Sequence, residues 1–196
     1  MIEEQEAGLR ARLVAAGVEL VTREGAQALS LREIARRAGV SHGAPRRHFP
    51  THLSLLSAIA AEGFASLGAR LAAAGDAGAT PRARLAALGR AYLDFAFAER
   101  GMYELMFRHD LLESGQQGGL RATSLPLFEE FVTLVDRAGP KADAPPAVVA
   151  GALWANLHGI AQLWGWGSLR LATGADDVEP LLHAALDAHL GAEEGR

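Results

Sequence analysis

The sequence contains no cysteine, which excludes disulfide scaffolds and thiolate metal sites and permits a reducing compartment. Lysine is nearly absent as well: Lys141 stands alone among nineteen basic residues. The N-terminus, MIEEQEAGLRAR, is acidic and lacks the apolar run of a secretory signal. No stretch is expected to reach the apolar length that crosses a bilayer. The expectation is a soluble cytoplasmic chain with no membrane contact. Catalytic signatures are missing too, with no H-E-x-x-H, no G-x-S-x-G and no phosphate-binding glycine loop. The seven histidines (42, 48, 52, 109, 158, 183 and 189) are scattered. His109–Asp110 has the look of a general-base pair but lacks a nucleophile, and His183 and His189 are poorly spaced for a metal. An enzyme is not expected, nor a metal or cofactor.

What is present favours helices. The chain is 49% hydrophobic over 196 residues, enough for one sizeable helical core or a small domain on a larger one. No strand-like alternation persists and nothing repeats periodically, so the fold class is all-α. The net charge of −4 is unevenly distributed. From Leu9 to His52 eight arginines face three acids, a local charge of +5, whereas residues 53–196 carry −6. A basic N-terminal module on an acidic body suits local contact with phosphate.

That module centres on SLREIARRAGVSHGAPRRHF, residues 30–49. Ser30 followed by Glu33 has the pattern of a capping box. Leu31, Ile34, Ala35 and Ala38 form an apolar stripe, and Gly39 is placed for a left-handed cap with Val40 just beyond it. Ser41 is expected to cap a second helix, His42–Phe49, the recognition helix of a helix-turn-helix. Pro45 falls in or just after its first turn, and Phe49 anchors it. The competing reading is a surface hairpin with solvated arginines.

The remaining elements follow from periodicity. Residues 9–24 predict an amphipathic brace stopped by Gly25. Thr51 is placed to cap a long helix to about residue 73, with Leu55, Leu56, Ile59, Ala60, Phe64, Leu67 and Leu71 on its stripe. AAAGDAGATP (72–81) is a break. Helices are expected at Pro81–Phe97, from Gly101 through the aromatic stretch to Phe107, and over Leu125–Ala138. A polar loop is expected at 113–119 and a rigid turn at 139–146. The stretch 147–169 is apolar on several sides and must meet more than one partner. A last helix runs from about 176 to 190. Trp164 and Trp166 cannot both face the core, so one is expected at a dimer seam.

Two sets of residues could carry function. For DNA, Arg46, Arg47, His42 and His48 on the recognition helix supply base and phosphate contacts. Arg32 can reach a phosphate, while Arg36 and Arg37 are expected to be solvated or bonded within the module. Ser30, Ser41 and Thr51 mark helix starts whose N–H groups favour phosphate, and His52 lies in the first turn of the helix that Thr51 starts. For a small molecule, Tyr92, Phe95, Tyr103 and Met106, with Phe107, Phe128, Trp154 and His158, supply apolar surface and a few polar groups. The competing reading of each is an ordinary core residue.

The opening motif, with one helix before it and a long one after it, resembles the tetracycline-repressor-like (TetR) family of transcriptional regulators. The match rests on Leu31, Ile34, Ala35, Ala38, Gly39, Val40, Ser41, His48, Phe49 and Leu56. Trp154, His158 and Gly159 look like the W-x-x-x-H-G element of one C-terminal subfamily, and Tyr103–Phe107 like its aromatic sixth helix. The resemblance implies about nine helices per subunit. Residues 1–52 would be a three-helix helix-turn-helix DNA-binding domain, extended by the N-terminal part of the linking helix 52–73. Residues 53–196 would form a ligand-binding and dimerisation domain, a homodimer closing through about 147–166 and 176–190. The implied function is a ligand-responsive repressor, released from a palindromic double-stranded DNA operator by a small apolar or aromatic effector. Three positions depart from the family: Arg46 replaces a usual tyrosine, His52 a usual lysine and Leu53 a usual acid. These departures motivate a second reading, a dimeric sensor or protein-interaction protein whose DNA binding is weakened or lost.

Overall fold

Leu13, Ala16, Gly17, Leu20 and Val21 recur at helical spacing, and all are buried on one face of α1 (Ile2–Glu24). In the computed structural model, which describes residues 2–75, 79–108, 111 and 118–192 (side chains from residue 8, and in the last segment from 120), α1 begins seven residues before the expected start at Leu9. The added segment is rich in glutamate, a good helix former whose charge suits a helix N-terminus. A 3-10 turn (Ala26–Ala28) leads to α2 (Leu31–Arg37), α3 (Pro45–His48) and α4 (His52–Ala74). Then come α5 (Pro81–Ala98), α6 (Arg100–Met106), α7 (Gly118–Ala138), α8 (Pro146–Gly165), α9 (Ser168–Thr173) and α10 (Glu179–Leu190). The fold is all-α, with ten helices among the described residues.

Several expectations are corrected. The helix expected over His42–Phe49 is α3, four residues long. Pro45 is its first residue and has no N–H to continue the ladder backwards, so Ser41–Ala44 closes instead as a tight turn, Ala44 N–H donating to the Ser41 carbonyl at 3.0 Å. Ser41 therefore caps no helix. α7 starts at Gly118, not Leu125, and carries Pro126 inside it. Pro126 therefore sits mid-helix, where the ladder skips one bond. The stretch 147–169 is broken at Gly167, whose left-handed φ of 78° separates α8 from α9. α10 starts at Glu179, where Asp177 accepts the Glu179 N–H at 2.9 Å. α4 is, by length and composition, long and apolar enough to cross a membrane, against expectation. Its alanines raise the apolar content, yet Leu55, Leu56, Ile59 and Ala60 are fully buried against protein, as in a core helix. The loop segment 113–117, the pair His109–Asp110 and residues 76–78 of the 72–81 break lie outside the described residues.

Contacts divide the chain into two compact units, Met1–Ser66 with Glu99–Leu125, and Leu67–Ala98 with Pro126–Arg196. In the first, α1 packs on α2, α3 and α6. Leu13, Leu20, Ile34, Leu55, Leu56 and Ile59 are fully buried there, so the brace role expected of the first helix holds. α6 comes close to α1: a Cβ on Gly101 would lie 2.5 Å from the Val21 carbonyl oxygen and 2.9 Å from Gly25 Cα. In the second unit α5, α8 and α10 pack together over Leu85, Leu93, Leu153, Leu157, Leu182 and Leu186. Arg82 and Arg90 of α5 pair with Asp187 and Glu179, adding polar ties to α10.

Candidate nucleic-acid interface and aromatic cluster

The helix-turn-helix is built by local hydrogen bonds that the sequence encodes. Ser30 Oγ accepts the Glu33 N–H at 3.2 Å and starts α2. At the other end Gly39 adopts φ 68°, Val40 N–H donates to the Ala35 carbonyl at 3.0 Å and Gly39 N–H to Arg36 at 3.2 Å. This paired closure needs a left-handed residue, which glycine adopts without a Cβ clash. Arg12 of α1 donates to the Ala38 carbonyl at 2.5 Å, holding the C-terminus of α2. After α3, Phe49 is buried under the Arg10 guanidinium, 5.1 Å from its ring centroid. Thr51 and Ser54 then cap α4 reciprocally, Ser54 N–H donating to Thr51 Oγ1 at 3.0 Å and Thr51 N–H to Ser54 Oγ at 3.2 Å.

Ser30, Arg32, Ser41, His42, Arg46, Arg47 and Thr51 are exposed, and His48 and His52 are half-buried. The caps engage the N–H groups of Glu33, Thr51 and Ser54, so these are not open to phosphate. The arginines sort into two groups. Arg36 grips both Glu33 oxygens at 2.9 and 2.6 Å; Arg37 bonds Glu33 at 2.9 Å and also pairs with Glu24. Arg23 pairs with Glu19 at 3.0 Å. Arg32, Arg46 and Arg47 have no ion pair or side-chain hydrogen bond among the described residues. The expectation that Arg36 and Arg37 bond within the module is met.

Glu33 is held down to about 2, chiefly by the side-chain hydrogen bonds from Arg36 and Arg37. A carboxylate depressed on folding stabilises the fold above its unfolded value and loses that contribution as pH falls toward the folded one. Thermal melts should therefore show the Glu33 contribution intact at pH 5 and above and fading from about pH 4.5 downward. A Glu33→Gln variant should lack this component, and identical acid profiles for both proteins would contradict it.

In the second unit, residues distant in sequence converge. The Tyr92 hydroxyl and His158 Nδ1 are hydrogen-bonded at 3.0 Å. Trp154 lies one turn before His158 on α8, ring centroids 5.9 Å apart, and Phe128 of α7 meets Trp154 edge-on at 6.2 Å. Burial lowers the pKa of His158 below its ordinary value, so the imidazole is neutral at pH 7. Tyr92→Phe should cost about 1 kcal/mol of stability by leaving Nδ1 without this partner, lowering Tm by roughly 2–4 °C. An unchanged melt would show that the bond contributes nothing. Of the remaining expected residues, Phe95 is buried in the same unit beneath the Arg70 guanidinium, 5.3 Å away. Tyr103, Met106 and Phe107 lie in the first unit, where Phe107 contacts Tyr103 at 5.0 Å and Phe64 at 5.6 Å. Sequence reading placed Glu33 in a capping box and did not single out Glu24; the Glu33 side chain bonds Arg36 and Arg37 instead, a pairing that its i, i+3 and i, i+4 spacing signals. Among the described residues no group of three or more His, Asp or Glu could hold a metal ion.

Comparisons with known proteins bear on the whole chain. Residues 13–59 match the family described as bacterial regulatory proteins, tetR family, and residues 85–189 match the tetracyclin repressor-like C-terminal domain. No curated protein matches at a significant level. Among solved structures, a Rhodococcus sp. RHA1 protein of unknown function is 33% identical, covering 92% of each chain with a TM-score of 0.74. A transcriptional regulator from the same organism is 25% identical, covering 93% of this chain and 94% of its own, TM-score 0.68. RolR, solved with the ligand resorcinol, shares the fold at 18% identity and a TM-score of 0.69, covering 95% of this chain and 90% of its own. Helix-turn-helix, helical body and matched segments agree: the chain belongs to the tetR family of bacterial regulatory proteins.

Proposed function

We propose that the protein is a homodimeric, ligand-responsive transcriptional repressor that leaves a palindromic operator when a small molecule binds its helical body. The observation that carries the DNA-binding part is the set of exposed arginines without ion pairs among the described residues, Arg32, Arg46 and Arg47, on a helix-turn-helix whose Arg36 and Arg37 are engaged. In this reading residues 1–52, extended by the start of α4, contact DNA, and residues 53–196 bind ligand and dimerise. Arg46 and Arg47 reach phosphate or base edges from α3, with Ser41, His42 and His48 beside them. Arg32, Ser30, Thr51 and His52 flank that surface.

The effector site is assigned to Tyr92, Phe128, Trp154 and His158 with Phe95 nearby in sequence, and Trp154, His158 and Gly159 carry the W-x-x-x-H-G element. A neutral imidazole and a phenol among aromatic rings suit an apolar or aromatic compound with a hydroxyl or carbonyl group. That RolR holds resorcinol in the same fold supports this class. The dimer is assigned to α8 and α10. Val148 (60% exposed) and Trp166 (63% exposed) face solvent, while Trp164 is buried, and a Cβ at Gly151 or Gly159 would meet nothing within 4 Å. Small residues of this kind let a second α8 approach closely. Trp166→Ala should weaken dimerisation roughly 30-fold, about 2 kcal/mol, in sedimentation. A dimer of unchanged affinity would place the seam elsewhere.

Footprinting a duplex from the region upstream of the gene tests the DNA reading. Two protected half-sites about 10 base pairs, or 34–36 Å, apart are expected, their protection lost when the effector is added. No protection would favour the second reading, motivated by Arg46, His52 and Leu53. In that reading R46Y with H52K would create binding absent from the natural protein.

A further inference from the structure

We propose that Glu33 acts as a positioning residue that withholds Arg36 and Arg37 from DNA, confining phosphate contact to Arg32, Arg46 and Arg47. The inference rests on the DNA-binding reading above. Five arginines lie between residues 32 and 47, and they are not equivalent. Both Glu33 oxygens are occupied: Arg36 presents a two-pronged fork at 2.9 and 2.6 Å, and Arg37 adds a third bond at 2.9 Å. The free edge of Arg37 is taken by Glu24 from α1, so the lock spans two helices rather than one turn. Arg37 is correspondingly sheltered, its side chain 19% exposed. Two positive and two negative charges leave this patch neutral, whereas the nearby unpaired arginines keep their charge.

Geometry gives the lock a consequence for sequence-independent binding. Attraction to phosphate is independent of sequence, so every available arginine strengthens binding to all DNA alike. A guanidinium already forked onto a carboxylate must exchange that partner to take a phosphate, and Glu33 itself repels the backbone. Holding two arginines in this way lowers the sequence-independent attraction to operator and unrelated DNA alike, and so limits how tightly the protein is held on DNA at large.

The test uses the full chain and E33Q, with an operator duplex and an unrelated duplex of equal length, titrated at about 50 and 200 mM salt. The α2 cap uses the Glu33 backbone N–H and is retained in E33Q. The salt slope on the unrelated duplex should steepen by about 1–2 per copy, and affinity there should rise about tenfold or more at the lower salt. Operator affinity should rise by a similar factor, leaving the ratio of operator to unrelated binding about the same. E62Q, on exposed Glu62 of α4, makes the same charge change outside the network and should leave the slope as it is. E24Q releases one edge of Arg37 and should shift the slope in the same direction by less, a second route should E33Q fold poorly. An E33Q slope equal to that of a natural protein that itself binds the operator overturns the proposal alone. Equal shifts in E33Q and E62Q also overturn it. Absence of binding by every variant overturns the DNA-binding reading and the proposal with it.

Discussion

Replacing Arg46 and Arg47 together by alanine is expected to lower operator affinity by about three to four orders of magnitude at 0.1 M salt. Each phosphate contact contributes about 0.9 to the salt slope, or roughly 1.2 kcal/mol at that salt, and a dimer loses four such contacts. The slope itself should fall by about 3–4. Stability should change by no more than about 0.5 kcal/mol, since both side chains are exposed and have no partner to lose among the described residues. Arg36→Ala provides the contrast. Its guanidinium is already engaged by Glu33, so its removal should leave the slope nearly unchanged. Fluorescence anisotropy across a salt series measures all three proteins. Equal losses for R36A and R46A/R47A would mean that the arginines are not sorted as their ion pairs indicate.

Gly101→Ala is expected to destabilise the protein by about 2–3 kcal/mol, lowering Tm by roughly 5–10 °C for a chain of this length. Two effects oppose each other. Alanine in a helix is favoured over glycine by about 0.5–1 kcal/mol. Against this, the new methyl would sit 2.5 Å from the Val21 carbonyl oxygen and 2.9 Å from Gly25 Cα, both backbone atoms that no rotamer change can move. Relief requires α6 to back away from α1 and loosens a tightly packed unit. Gly8→Ala on α1, an exposed position where a Cβ meets nothing within 4 Å, should be neutral or mildly stabilising. Melting curves of the two variants decide the matter; equal Tm values would contradict the close approach of α1 and α6.

Features set by local chemistry were legible in the sequence. Ser30, Gly39 and Thr51 take the cap positions their residue types suggest, because a cap is decided within four or five residues. The stripe Leu55–Leu67 and the division between buried Trp164 and exposed Trp166 follow from helical periodicity alone. Proline was harder to read. Pro45 shortens α3 to four residues whereas Pro126 is tolerated inside α7, so one residue type marks a start in one place and an interior in another. Helix membership there is settled by tertiary packing. The Tyr92–His158 bond joins residues 66 apart, and nothing local to either announces the other. The approach of Gly101 to Val21 is likewise visible only once α1 and α6 are packed.

The central claim, that this helix-turn-helix grips DNA through three arginines per copy, is tested most directly by the salt dependence of operator binding by the unmodified protein. Two copies with three arginines each give a slope of log K against log salt of about −5. Binding with a slope of that size, and a footprint matching two half-sites, is the predicted result. A slope near zero, or no binding to any duplex from the upstream region, would contradict the account.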